Sequence, residues 1–204
     1  MFGVVLLAAV AGCADALGYL HFRTFAGLMT GNTVFLGLAL FGHAPAGPVL
    51  YIAVIAAFCA GVTMSRVALR LGMTPRPVLI LTVLILLGLN FSSSRWAPAM
   101  LAFGMGAQNA ATTRVAGVTV NTVFLTGDLQ QLMGDLVARL FPGAKRERPA
   151  PRELIALALV WTSYVGGAVL GAALNLRLAQ PFLVPAGLLL LFLLYENISK
   201  AADF

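Results

Sequence analysis

Six long apolar stretches limit what this chain can fold into more than any other feature of its sequence. They lie near 2–20, 48–69, 77–91, 97–113, 153–174 and 181–195. Each is about long enough to cross a hydrocarbon layer of roughly 30 Å as a helix, the shorter ones only marginally. The chain has 60% hydrophobic and 10% charged residues, outside the range of soluble domains. The sequence therefore predicts an all-α integral membrane protein with about six transmembrane helices.

Two further segments, 27–42 and 117–140, share a motif. The first reads GLMTGNTVFLGLALFG and the second begins GVTVNTVFLTGDLQQ, so both contain Asn-Thr-Val-Phe-Leu behind a glycine-rich approach. The match extends to GCADA at 12–16, which aligns with GAQNA at 106–110. We therefore divide the single membrane domain into two repeats, 1–91 and 97–196, with three spans and one motif segment in each.

The positions of the positive charges indicate how the motif segments lie in the membrane. If each segment enters and leaves on one face, Arg23, Arg95 and Arg177 lie on one side and the other ten of the thirteen Lys and Arg residues lie opposite. If both segments crossed, the thirteen would divide six to seven, without bias. The first arrangement obeys the positive-inside rule. It predicts broken or re-entrant motif segments, two inverted repeats and cytoplasmic termini.

The repeated motif is typical of a break in the chain followed by a helix start. Asn and Thr are good N-caps and Gly accepts unusual backbone angles, so we predict helices that begin just before Val34 and Val123. A half-helix inside the membrane offers free N–H groups and a positive dipole end, which suit an anion or a polar solute. The predicted substrate-binding residues of the motifs are Thr30, Gly31, Asn32, Thr33, Asn121 and Thr122. A packing kink without a ligand is the alternative.

Asp15 lies inside the first apolar stretch, where a carboxylate is costly and normally faces a cavity or a partner. We interpret it as a proton-coupling residue. Its counterpart in the second repeat is Asn109, next to Gln108, and we predict that these two neutral side chains bind the substrate as well. The alternative is that Asp15 caps or braces the broken motif helix.

Two charged residues near the second motif are further candidates for the site. Arg114 serves either as a counter-charge in the cavity or as an interfacial arginine. Asp128 lies in an amphipathic segment and either edges the cavity or faces solvent. Cys13 and Cys59 have no metal-ligand spacing, so we expect no metal and no cofactor.

The chain resembles a known family over nearly its whole length. The runs AGCADALGYLHFRTFAGLMTGNTVFLGLAL and AFGMGAQNAATTRVAGVTVNTVFLTGDLQQL are similar to the YoaK-like family of small bacterial inner-membrane proteins, a domain of unknown function. Asp15, the segment 29–33 and the segment 108–110 carry the likeness, while Cys13 stands where an aromatic or small residue is expected. The resemblance implies a bacterial inner (cytoplasmic) membrane location. The arrangement of inverted repeats with broken helices at the midplane is also similar to that of sulfate-permease and uracil-permease type carriers.

A secondary transporter is the function that these features favour. We expect a small anionic or polar solute at the midplane between the two half-helix N-termini, with coupling to protons through Asp15. The net charge of +6 needs no nucleic acid to explain it, because Lys and Arg collect in cytoplasmic loops. At 204 residues the chain is small for a carrier, so a homodimer would support the cavity. The alternatives are a membrane scaffold or partner subunit and, less favoured, an intramembrane enzyme with Asp15 and Asp128 as its carboxylate pair. We expect no enzyme, because the spans contain no Ser/His or Cys/His arrangement.

Overall fold

The computed structural model describes residues 2–112, 114–115, 118–119, 125–140 and 151–202. This part of the chain contains eight helices: α1 (Phe2–Phe22), α2 (Met29–Leu40), α3 (Pro48–Arg70), α4 (Pro75–Leu89), α5 (Ala97–Ala111), α6 (Leu125–Leu140), α7 (Pro151–Asn175) and α8 (Leu183–Ala202). Two short strands, β1 (Arg114–Val115) and β2 (Val118–Thr119), pair antiparallel between α5 and α6. The prediction of a helical protein is therefore confirmed.

The helices coincide with the apolar stretches and with the two motif segments. Proline occupies the first turn of α3 and of α4, where its missing N–H costs no hydrogen bond. Gly72, with a φ of +84°, ends α3 in the left-handed conformation that glycine accepts. Three helical segments are long and apolar enough to cross a membrane, namely Phe2–Phe22, Pro48–Arg70 and Leu154–Asn175. The apolar helices Met29–Leu40, Pro75–Leu89 and Leu183–Ile198 are shorter.

The first helix lies at the centre of the bundle. In its apolar window 72% of the residues are buried, compared with 17% in α3 and 28% in the spanning segment of α7. A helix that is hydrophobic on all sides is expected to be buried on all sides. Because Asp15 belongs to this helix, its carboxylate is surrounded by protein.

Glycines bring α1 and α7 into close contact. A Cβ atom on Gly12 would overlap the carbonyl oxygen of Tyr164, and one on Gly167 would overlap the carbonyl oxygen of Ala9. Small residues at a helix crossing let the two backbones approach closely. The space at these two positions is therefore filled by the backbone of the facing helix.

The crossing of α3 and α5 uses the positions that the sequence repeat relates to the first crossing. Gly106 faces the carbonyl oxygen of Phe58, and Gly61 faces the carbonyl oxygen of Phe103. These four residues align in the repeat with the four residues of the α1–α7 crossing. The same close approach is therefore built twice, each time between a helix of one repeat and a helix of the other.

The remaining helix contacts also occur in related pairs. α1 packs on α8 as α5 packs on α4, and α2 packs on α3 as α6 packs on α7. α1 also contacts α5, and α4 contacts α8, so each of these two contacts joins equivalent helices. The repeat boundaries and the inverted orientation of the repeats stay predictions.

Candidate functional site

The first motif segment contains a turn followed by a short helix. α1 ends at Phe22, and α2 runs without interruption from Met29 to Leu40. The prediction that the helix begins just before Val34 is therefore wrong, because Thr30 to Thr33 already belong to the first turns of α2. Leu28 occupies the N-cap position and supplies no side-chain hydrogen bond. The turn before α2 is instead held by a side chain from another helix.

Asp15 of α1 is that side chain. Its Oδ1 accepts a hydrogen bond from the backbone N–H of Gly27 at 2.6 Å and from that of Leu28 at 3.3 Å. Its Oδ2 accepts a hydrogen bond from the hydroxyl of Tyr164 in α7 at 2.6 Å. The side chain is buried, with 4% of its surface exposed. A carboxylate at a helix N-terminus is stabilised by the N–H groups and by the helix dipole.

Asn32 holds the same turn from within α2. The backbone N–H of Phe25 donates to Asn32 Oδ1 at 2.8 Å, and Asn32 Nδ2 donates to the backbone oxygen of Phe25 at 2.8 Å. Asn32 is completely buried. Gly31 lies beside the ring of Phe25, where a Cβ atom would come within 2.8 Å of the ring carbons. Thr33, in contrast, is exposed and donates to the oxygen of Met29 within its own helix.

Aromatic rings pack around the outer side of the turn. Phe25 stacks on Tyr19 and on Phe35, with ring centroids 5.4 Å and 5.9 Å apart. Tyr51 of α3 stacks on Phe35 and donates its hydroxyl to the backbone oxygen of Arg23 at 3.2 Å. Arg23 has a φ of +59°, an uncommon conformation for a residue with a side chain. The turn is therefore fixed by contacts with α1, α2 and α3, and Asp15 links it to α7.

The partner motif falls largely outside the described residues. Asn121 and Thr122 lie there, so the meeting of the two motifs stays a prediction. Arg114 belongs to β1 and Asp128 to α6, and their roles in the site stay predictions as well.

Gln108 is the third buried polar residue of the predicted site, after Asp15 and Asn32. It lies in α5 with no exposed surface, and neither Oε1 nor Nε2 has a hydrogen-bond partner in the described part of the chain. Asn109, which follows it, is half-buried. Among the described residues, no three His, Cys, Asp or Glu side chains come together as metal ligands would.

The structure thus joins Asp15 to the first motif, and it adds partners that the sequence analysis missed. Tyr164 is the main one, because its hydroxyl reaches Asp15 from a helix distant in sequence. The sequence repeat offers a signal for Tyr164, because the equivalent residue is Phe58 and the two differ only by the hydroxyl. The backbone partners, Gly27 and Leu28, have no side-chain signal in the sequence.

The fold and the site define a class of protein: a bundle of apolar helices, three of them of membrane-spanning length, with a buried carboxylate hydrogen-bonded to the turn before a short helix. A family profile described as "Protein of unknown function (DUF1275)" matches residues 3–195, and the chain belongs to that family. The resemblance to the YoaK-like family is consistent with this result. The chain finds no match among curated proteins or among solved structures.

Proposed function

We propose that the protein is a proton-coupled secondary transporter of a small polar or anionic solute, with Asp15 as the coupling residue. One observation carries this proposal: the buried carboxylate of Asp15 is hydrogen-bonded to the turn before α2 and to α7. Ionisable residues among apolar membrane helices are rare and commonly serve proton or substrate pathways. A proton bound to this carboxylate would act on three helices at once.

Protonation of Asp15 provides the mechanical step. Hydrogen bonds to a charged carboxylate are roughly twice as strong as those between neutral groups. When the carboxylate takes up a proton, its bonds to Gly27, Leu28 and Tyr164 weaken together. The turn before α2 is then held less tightly to α1, and the N–H groups of Gly27 and Leu28 become available. When the carboxylate loses the proton, its hydrogen bonds to Gly27, Leu28 and Tyr164 become strong again.

The positions that the sequence repeat relates to Asp15 and Tyr164 carry neutral side chains without a hydroxyl. Asn109 replaces Asp15 and Phe58 replaces Tyr164, so neither the carboxylate nor the hydroxyl is present. An amide at that position forms hydrogen bonds without titrating. We therefore place the proton-dependent step in the first repeat only.

The proposal includes two inverted repeats with cytoplasmic termini in a bacterial inner membrane. The charge distribution supports this orientation, and the related helix contacts support a symmetric arrangement of the halves. The length of α2 supports a re-entrant segment, because twelve residues extend about 18 Å, well short of a hydrocarbon layer of roughly 30 Å.

The test is a proton-flux assay on the protein reconstituted into liposomes with a pH-sensitive dye in the lumen. A panel of small amides, carboxylates, amino acids and sugars is added under a pH gradient. We expect one class of solute to drive proton movement, and we expect Asp15→Asn to abolish it. The variant should fold, because an Asn oxygen still accepts hydrogen bonds from Gly27 and Leu28 and Asn occupies the equivalent position at 109.

Glu196→Gln, which removes a carboxylate near the end of α8 and outside the site, is the control and should keep the flux. If Asp15→Asn kept full proton-dependent flux, Asp15 would not be the coupling residue and would have only a structural role. Absence of flux for every solute in correctly folded wild-type protein would reject transport and favour the scaffold alternative. If Asp15→Asn does not fold, Asp15→Glu keeps the carboxylate and should retain flux.

A further inference from the structure

We infer that the transported solute is a small uncharged molecule with a hydrogen-bond donor and an acceptor side by side, such as a primary carboxamide, and that Gln108 binds it. This inference rests on the proposed function and selects between the polar and the anionic solute. It combines three observations: the amide of Gln108, which has no partner among the described residues, the face of α5 on which Gln108 lies, and the negative charge of Asp15 at the turn before α2.

The amide of Gln108 is unpaired in a place without solvent. The side chain has no exposed surface, and both its oxygen and its nitrogen lack a partner in the described part of the chain. Most buried polar side-chain atoms in proteins have a partner, because burial without one is unfavourable. A ligand that supplies one donor and one acceptor would satisfy both atoms.

The neighbours of α5 locate this amide. Leu101, two turns before Gln108, comes within 3.3 Å of a Cβ position on Gly18 of α1. Gly104, one turn before Gln108, lies next to Thr82 of α4. Residues three, four and seven apart share a face of a helix. Gln108 therefore lies on the face of α5 that is directed toward α1 and α4, and away from the glycine crossing with α3.

This face adjoins the turn that Asp15 holds. A Cβ position on Gly18 lies 2.9 Å from the backbone oxygen of Thr24 and 3.4 Å from the backbone nitrogen of Ala26, both in the turn. Gly18 also follows Asp15 by one helical turn on α1. Movement of the turn upon protonation would therefore change the packing between α1 and α5 at Leu101, two turns from Gln108 on the same face of α5.

The charge of Asp15 selects against an anion. The N–H groups of Gly27 and Leu28, just before α2, already bind the carboxylate of Asp15, so while Asp15 is charged an anionic solute would add a second negative charge in a region of low dielectric constant. A carboxylate would also leave Gln108 Oε1 without a donor. A primary carboxamide carries no charge and pairs with both atoms of a glutamine amide.

Acetamide and acetate provide the test, because they are similar in size and shape and differ in charge and in the N–H donor. Binding of each to the purified protein in lipid nanodiscs is measured by calorimetry and by the shift in the thermal unfolding midpoint. We expect acetamide to bind and to raise the midpoint, and acetate to do neither. Gln108→Leu should lower the affinity for acetamide by about tenfold or more.

Gln131→Leu is the matched control, because Gln131 is an exposed glutamine of α6, and it should bind acetamide as the wild type does. If Gln108→Leu does not fold, Gln108→Met keeps the length of the side chain without its polar atoms. Equal binding of acetate, unchanged acetamide binding in the Gln108 variants, or no acetamide binding in the wild type would each overturn the inference.

The two proposals fail separately. Proton flux driven by a carboxylate and not by an amide would overturn the solute class and leave the transporter proposal standing. Acetamide binding that depends on Gln108, without proton flux for any solute, would reject transport and leave the binding site standing.

Discussion

Asp15 has both carboxylate oxygens engaged, and its two sets of partners come from parts of the chain far apart in sequence. The sequence could identify the residue, because an acidic side chain in an apolar span requires partners. It could not identify the partners, because two are backbone N–H groups and the third belongs to a helix of the other repeat. The local rule that began a helix just before Val34 failed for the same reason: Asp15 holds the turn before α2 from another helix, and α2 already begins at Met29.

Tyr164→Phe isolates the contribution of the Tyr164 hydroxyl, which donates a hydrogen bond to Asp15, to the stability of the protein. The ring should fit, since Phe58 occupies the equivalent position of the repeat, but Asp15 Oδ2 would lose its hydrogen bond. We expect the free energy of unfolding to fall by about 1–3 kcal/mol, as for other hydrogen bonds to a charged group. Unfolding in mixed micelles measures the change. Tyr195→Phe, at an exposed position of α8, is the control, and an equal loss in both variants would contradict the assigned role of Tyr164.

Asn32→Ala tests the two hydrogen bonds by which the Asn32 side chain holds the turn before α2. The substitution leaves the N–H and the carbonyl of Phe25 without their partners, and both bonds are 2.8 Å long in the structure. We expect a loss of about 1–3 kcal/mol in unfolding free energy. Thr33→Ala is the matched control, because the Thr33 hydroxyl is exposed and bonds only within its own helix. If the free energy of unfolding fell as much in Thr33→Ala as in Asn32→Ala, the hydrogen bonds of Asn32 would have no special role in holding the turn.

At the scale of the elements, the sequence predicted where helices form but not how they begin or cross. Apolar stretches and proline positions are local signals, and the helices follow them. The start of α2 depends on a contact with α1, which a local pattern does not contain. The glycine patterns indicated close packing. They did not indicate that α1 packs on α7 and α5 on α3, because these pairings depend on the tertiary fold.

Two adjacent glycines of α7 give a direct test of the crossing. A Cβ atom at Gly167 would overlap the carbonyl oxygen of Ala9, whereas a Cβ atom at Gly166 would meet no other atom within 4 Å. We expect Gly167→Ala to destabilise the protein by about 1–3 kcal/mol through overpacking. Gly166→Ala should be neutral or stabilising by up to about 1 kcal/mol, because Ala is the better helix former. Similar effects of the two substitutions on unfolding would contradict the described crossing.

At the scale of the whole molecule, the inverted orientation rests on the distribution of Lys and Arg between the two sides. Cysteines introduced at positions 94 and 147 test it in intact cells with a membrane-impermeant thiol reagent. We expect labelling at position 94 from outside, and labelling at position 147 only after the cells are opened. Labelling of both positions from the same side would reject three crossings in each half.

The central claim is that the charge state of Asp15 controls the turn before α2, and hydrogen exchange of the segment 24–30 measures this most directly. In nanodiscs, after correction for intrinsic rates, the amides of Gly27 and Leu28 should be protected while the carboxylate is charged. They should lose protection as the pH falls and Asp15 takes up a proton. In Asp15→Asn the protection should not depend on pH. The same pH dependence in wild type and variant, or none in wild type across the whole range of stable folding, would contradict the account.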